Sequence, residues 1–128
     1  MTRLILSLGT ALLLTAGTVW AGPLEDAATA YGRGDYATAL KTFQSFAAQG
    51  NAEAQNNLGI LYAEGHGVPQ DDVRAYMWVN LAAAHMTGDE QKQAAENRDD
   101  VARRMTSAQV AEAKRLTQQC QAQNFKGC

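Results

Sequence analysis

Residues 52–85 read AEAQNNLGILYAEGHGVPQDDVRAYMWVNLAAAH. Ala54, Leu58, Leu61 and Tyr62 fall on one face of a 3.6-residue period, which predicts a helix over 52–64. Gly65-His66-Gly67-Val68-Pro69-Gln70 then breaks it: the glycines relax the backbone and Pro69 cannot continue a helix. Asp71 is placed to cap a second helix that ends near His85. Its apolar residues Val73, Ala75, Tyr76, Trp78, Val79, Ala82 and Ala83 cover most of the circumference, so neighbours on two sides are expected. Gly59 and Ala75 lack bulk and would let the two helices approach closely. Tyr62 and Trp78 would fill the wedge between this pair and its neighbours, each burying about 150–250 Å². Val68 would plug the apolar end of the pair.

The same pattern extends outward in both directions. On the amino-terminal side, acids at Glu25 and Asp26 follow Pro23 and start a short helix over 24–31. Gly32-Arg33-Gly34 ends it, and Asp35 caps a helix over 36–48 with a stripe of Ala39, Leu40, Phe43, Phe46 and Ala47. Gly50 suits the left-handed position past that helix. On the carboxyl-terminal side, Thr87-Gly88-Asp89 separates a polar helix over 90–105, and Thr106-Ser107 opens a last one over 107–122. Lys114 sits on that helix as an outward member. No strand pattern is present. Six helices joined by short turns predict antiparallel pairs over 24–48, 52–85 and 90–122, with a tail at 123–128.

The pairs echo one another. Asp35 and Asp71, Ala39 and Ala75, and Phe46-Ala47-Ala48 and Ala82-Ala83-Ala84 share an offset of 36 residues. Tyr31 and Tyr62 correspond at an offset of 31, because the first turn is five residues shorter. A helix-pair period in this range predicts an all-α chain built as an α-solenoid of three antiparallel pairs.

The run from Ala52 through Leu58, Gly59 and Tyr62, then Gly65, Gly67-Val68-Pro69-Gln70-Asp71, Ala75, Trp78 and Ala82-Ala83, resembles a Sel-one-like repeat (SLR), a relative of the tetratricopeptide repeat. The resemblance is specific over 52–86. It is weaker over 24–50, where the turn is abbreviated and Thr42 stands in place of the tryptophan. Residues 89–122 resemble the closing pair of small secreted members. The resemblance implies structural roles for these residues, and adaptor or scaffold work through protein partners. It also implies an alternative, since some cysteine-rich SLR proteins are linked to β-lactam binding or hydrolysis. Those proteins carry a disulfide within each repeat, a pattern this chain lacks.

Residues 1–21, MTRLILSLGTALLLTAGTVWA, read as a secretory signal peptide. Arg3 supplies the positive start, Leu4 to Val19 is uncharged, and small side chains near Ala21 favour cleavage before Gly22. An uncleaved anchor is the competing reading, although the apolar run is short of the ~20 residues that span a bilayer. Cleavage would leave a domain over 22–128 in the periplasm or outside the cell, without stable membrane insertion.

The 128 residues include 24 Ala and only 2 Pro, with 46% hydrophobic and 19% charged residues, which fits one globular domain and not a disordered tail. The 11 basic against 13 acidic residues give a net charge of −2, too balanced to hold nucleic acid by bulk charge. Cys120 and Cys128 would meet an oxidising compartment, and a disulfide closing the tail is expected. Metal binding and a redox pair are the alternatives for these thiols. Phe125 could then cover the end of the stack. His66 and His85 read as exposed residues in or beside turns. No catalytic motif, metal set or cofactor signature is present, so no cofactor is expected.

What remains is surface. The first helices of successive pairs, over 24–31, 52–64 and 90–105, should line one face. Tyr31, Glu53, Gln55, Asn56, Asn57 and Ile60 supply mixed contacts suited to an extended peptide or another protein. The alternative is that several of them face water and that Asn57 hydrogen-bonds within the fold.

Overall fold

The structure, a computed structural model, describes residues 22–128; the signal segment expected over 1–21 lies outside the described residues. Six helices follow in order: α1 (Pro23–Gly32), α2 (Tyr36–Ala48), α3 (Ala52–Glu64), α4 (Asp72–His85), α5 (Gly88–Ala102) and α6 (Ser107–Ala122). No strand occurs among the described residues. The arrangement is the α-solenoid that the repeat predicts.

Local chemistry sets most of the helix starts. Asp35 accepts from the Thr38 amide at 3.3 Å and Asp71 from the Arg74 amide at 3.0 Å, equivalent caps one repeat apart. Asn51 caps α3 through the Ala54 amide at 2.8 Å. Thr106 and Gln109 form a reciprocal capping box on α6. α5 departs from the sequence expectation at both ends. It starts at Gly88 and not near Glu90, and it stops at Ala102, leaving Arg103–Met105 in the turn.

The core is a chain of small and large residues. Ala39, Ala54 and Ala75 are fully buried, so α2, α3 and α4 can approach one another, and Phe43, Leu58, Leu61 and Leu81 fill the space that remains. α4 is the hub. It packs against α3, α5 and α6, and buries Ala75–Val79 and Leu81–Ala83. Trp78 is only 5% exposed and Tyr62 only 9%, as expected of wedges between pairs.

The third pair is not a tight hairpin. α5 and α6 each pack on α4 and form no substantial interface with each other. The reason lies in their stripes. α5 buries only Ala94 and Val101, and α6 only Ala113, Thr117 and Cys120. One narrow stripe can serve one neighbour, so the two helices straddle α4 and turn their polar remainder to water. Gln91 Nε2 donates to Ala83 O at 3.0 Å and Asn80 Nδ2 reaches Thr117 Oγ1 at 3.5 Å, tying each to the hub.

Candidate interaction surface

α1, α3 and α5 present one side of the molecule, and two depressions run between them. Ala28, Tyr31, Phe43, Asn57 and Ile60 line the first, between α1 and α3. The second lies between α3 and α5; Ile60, Ala63, Glu64, Asn97, Asp100 and Arg104 are among its walls. Ile60 belongs to both, so the depressions adjoin across α3. Their volumes are about 80 and 180 Å³, against roughly 300–1,000 Å³ for a small-molecule site. They suit individual side chains of a longer segment and not one enclosed ligand.

The candidate residues separate under this geometry. Tyr31, Asn57 and Ile60 line the depressions, and Glu53 is exposed on α3 two turns before Ile60. Asn56 is half-buried and accepts from Asn97 Nδ2 at 3.3 Å, joining α3 to α5. The internal hydrogen bond considered for Asn57 therefore belongs to its neighbour. Gln55 is a correction: it is completely buried, and its Nε2 donates to Ala47 O at 3.2 Å. Position 55 falls on the stripe of Ala54, Leu58 and Tyr62 and meets α2, so its polarity serves the fold and presents nothing to a partner.

The α1–α3 rim is built around Glu64. The Tyr31 hydroxyl donates to Glu64 Oε2 at 2.6 Å, and His66 Nδ1 lies 2.9 Å from the same oxygen. The His66 ring stacks on Tyr36 at 4.1 Å, and Tyr36 meets Tyr31 edge-on at 5.4 Å. Burial, then the carboxylate that accepts its proton, push the Tyr31 phenol up to about 12. His66 is thus half-buried and engaged, where the sequence suggested a free turn residue. The signal that could have revealed it is its position two residues after Glu64, beside an aromatic pair brought in by the first repeat. On the other side of α3, Arg104 donates to Ala63 O at 3.0 Å and to Asp72 at 2.6 Å. It pins the α5–α6 turn against the central pair.

Charge is distributed unevenly among the helices. α1, α3 and α5 carry nine acids (Glu25, Asp26, Glu53, Glu64, Asp89, Glu90, Glu96, Asp99, Asp100) against Lys92 and Arg98, a balance of −7. α2, α4 and α6 carry Lys41, Arg74, Lys114 and Arg115 against Asp72 and Glu112, a balance of +2. Six of the nine acids on the first helices, Glu25, Asp26, Glu53, Asp89, Glu90 and Glu96, are exposed and make no ion pair.

The opposite side carries the tail. Cys120 and Cys128 form a disulfide with Cα atoms 5.7 Å apart. The loop so closed does not cover the end of the stack, as Phe125 was expected to do. Instead it reaches back to the α2–α3 turn. The Phe125 ring comes within 3.1 Å of where a side chain on Gly50 would begin and meets His85 edge-on at 5.8 Å. Lys126 Nζ donates to Ala48 O at 2.9 Å. Among the described residues, no cluster of three or more His, Cys, Asp or Glu is placed to hold a metal ion.

Stacked, capped helices with a continuous lined face define a helical-repeat protein of the α-solenoid class. Within that class, residues 52–85 match the family model of the Sel1 repeat, which is consistent with a Sel1-like repeat helical protein. The match covers α3, the Gly65–Gln70 turn and α4, the pair at the centre of the molecule. Repeats of this family generally mediate protein–protein interaction and are typically non-catalytic. No curated protein matches the chain. Among the described residues, no helix is long and apolar enough to cross a membrane.

Proposed function

We propose that this protein is an exported adaptor or scaffold, active in the periplasm or outside the cell, that grips an extended segment of a partner protein on the face formed by α1, α3 and α5. The observation that carries the reading is the pair of adjoining depressions that share Ile60. Asn57 stands in the first and Asn97 in the second. The Asn57 amide can donate and accept, which is what the backbone of an extended chain asks of a surface, while Asn97 already donates to Asn56 and accepts from Gln93. Tyr31 supplies a rigid aromatic wall at low conformational cost, a residue type enriched where interfaces concentrate their energy. The apolar start of the sequence and its small residues before Gly22 support export and cleavage.

Crosslinking in the native envelope tests the reading. The wild-type protein should recover a defined partner, and the Asn57→Arg/Ile60→Arg variant should lose it while keeping its helical circular dichroism. Recovery of the same partner by the variant would remove this face from consideration. Mass analysis of the exported chain should find Gly22 as its first residue; a chain that retains Met1–Ala21 would overturn the cleavage.

A further inference from the structure

We infer that the segment bound on the first-helix face is basic: an extended stretch of the partner in which Lys or Arg alternates with apolar residues. The inference rests on the binding face proposed above and names the chemistry of its occupant. It starts from the division of charge, −7 on α1, α3 and α5 against +2 on α2, α4 and α6. A chain with a net charge of only −2 thus concentrates its negative field on the side that carries the depressions.

The position of the acids sharpens the point. Glu53 stands two turns before Ile60 on the same stripe of α3, Glu25 one turn before Ala28 on α1, and Glu96 beside Asn97 on α5. All three are exposed and make no ion pair. Three arginines near this face are engaged within the fold, Arg104 with Asp72, Arg103 with Asp100, and Arg98 with Asp99, and Lys92 is the exposed cation that α5 leaves unpaired. The surface therefore offers uncompensated carboxylates around an apolar floor. An extended chain points successive side chains to opposite sides, so apolar residues would enter the depressions and the alternate basic ones would reach the rim. Phosphate backbones and anionic lipid surfaces carry the wrong sign for this face. Opposite potentials also raise the rate of encounter and set orientation.

The test uses the chain from Gly22 to Cys128 with its disulfide intact and short labelled peptides in which Val alternates with Lys, Ser or Glu, read by fluorescence anisotropy. The Lys peptide should bind at least about tenfold tighter than the Glu peptide at low salt, with the gap narrowing as ionic strength rises. Each of Glu25→Gln, Glu53→Gln and Glu96→Gln should weaken the Lys peptide roughly two- to fivefold, and the Ser peptide hardly at all. Ile60→Ser should weaken the Lys and Ser peptides together. Equal binding of the Lys and Ser peptides, with no effect of the Gln variants, would overturn the basic occupant and leave the groove standing. Failure of every peptide to bind would overturn both. Concentration-dependent self-association of the chain, lost in the triple Gln variant, would also overturn the inference and assign the face to a second copy, whose α2, α4 and α6 side is positive.

Discussion

Replacing Gly59 with Ala should destabilise this protein, although the same change inside a helix ordinarily helps. Gly59 lies in the middle of α3, and an alanine there gains about 1 kcal/mol from helix propensity alone. The structure opposes that gain. A methyl group at Gly59 would sit 2.5 Å from Val79 Cγ2, 3.0 Å from Ala75 O and 3.1 Å from Val79 N. The first contact could be eased by moving a side chain; the other two are with the α4 backbone and cannot. The α3–α4 pair must open, which breaks packing at the hub of the core. Overpacking of this kind costs about 1–3 kcal/mol, and contact with backbone places this site at the upper end. The net loss is then about 1–2 kcal/mol, or a fall in Tm of roughly 5–10 °C for a domain near 100 residues. Gly32 is the internal control: it ends α1 with negative φ, and no atom lies within 4 Å of its would-be side chain. Gly32→Ala should be neutral or slightly stabilising. Thermal melts followed by circular dichroism would read both, and Val79→Ala in the Gly59→Ala background should recover part of the loss. A Gly59→Ala protein that melts at or above the wild type would refute the close-approach argument.

Two further outcomes are expected. Cys128→Ser opens a nine-residue loop and should lower stability by about 2.5 kcal/mol in the chain-entropy account, seen as a lower urea midpoint; coincident unfolding curves for variant and wild type would show that the tail stabilises nothing. The Tyr31 phenol is pushed up to about 12, and Tyr31→Phe should remove a step near that pH from the alkaline absorbance titration. Because the folded pKa is raised, the phenol's contribution to stability is whole below the unfolded value of about 10 and is lost as pH climbs towards 12. Loss of a step near pH 10 in the variant instead would contradict the burial and the Glu64 contact of this phenol.

The fold was legible because its signals are local. Asp35, Asp71 and Thr106 cap where short polar side chains before apolar stripes say they must, and Gly50 and Gly65 take positive φ at 89° and 68° past helix ends. The breadth of the α4 stripe announced a hub. What one helix cannot state is which neighbour its stripe will choose. The sequence paired α5 with α6 because a short turn joins them, yet each had apolar surface enough for α4 alone. The site was legible to the same degree. Tyr31, Asn57 and Ile60 followed from period and repeat. Gln55 did not, because a buried glutamine and an exposed one look alike until the carbonyl of Ala47 is seen beside it. Glu64, Asn97 and Arg104 were missed because their partners lie 33 to 41 residues away, Tyr31, Asn56 and Ala63.

The tail changes how the stack should hold together. In a helix-pair solenoid each unit touches only its neighbours, so stability adds up along one dimension and the ends fray first. Here residues beyond the last helix reach the first pair directly: Lys126 bonds to the carbonyl at the end of α2, and Phe125 occupies the space that Gly50 leaves open. Asn124 and Phe125 hold φ of 52° and 64°, a conformation unfavourable for phenylalanine by about 1 kcal/mol or more. The bond from the Phe125 amide to Cys120 O at 2.9 Å and the disulfide beyond it offset that cost. The disulfide thus acts at a distance from its own helix. It holds a strap from the third pair to the first, and α1 of that first pair carries Ala28 and Tyr31, one wall of the α1–α3 depression. The bridge on one side of the molecule and the proposed binding face on the other are therefore linked through α2: freeing the tail should release the end of α2 together with the His85 end of α4, and should blunt the binding face without altering a residue on it.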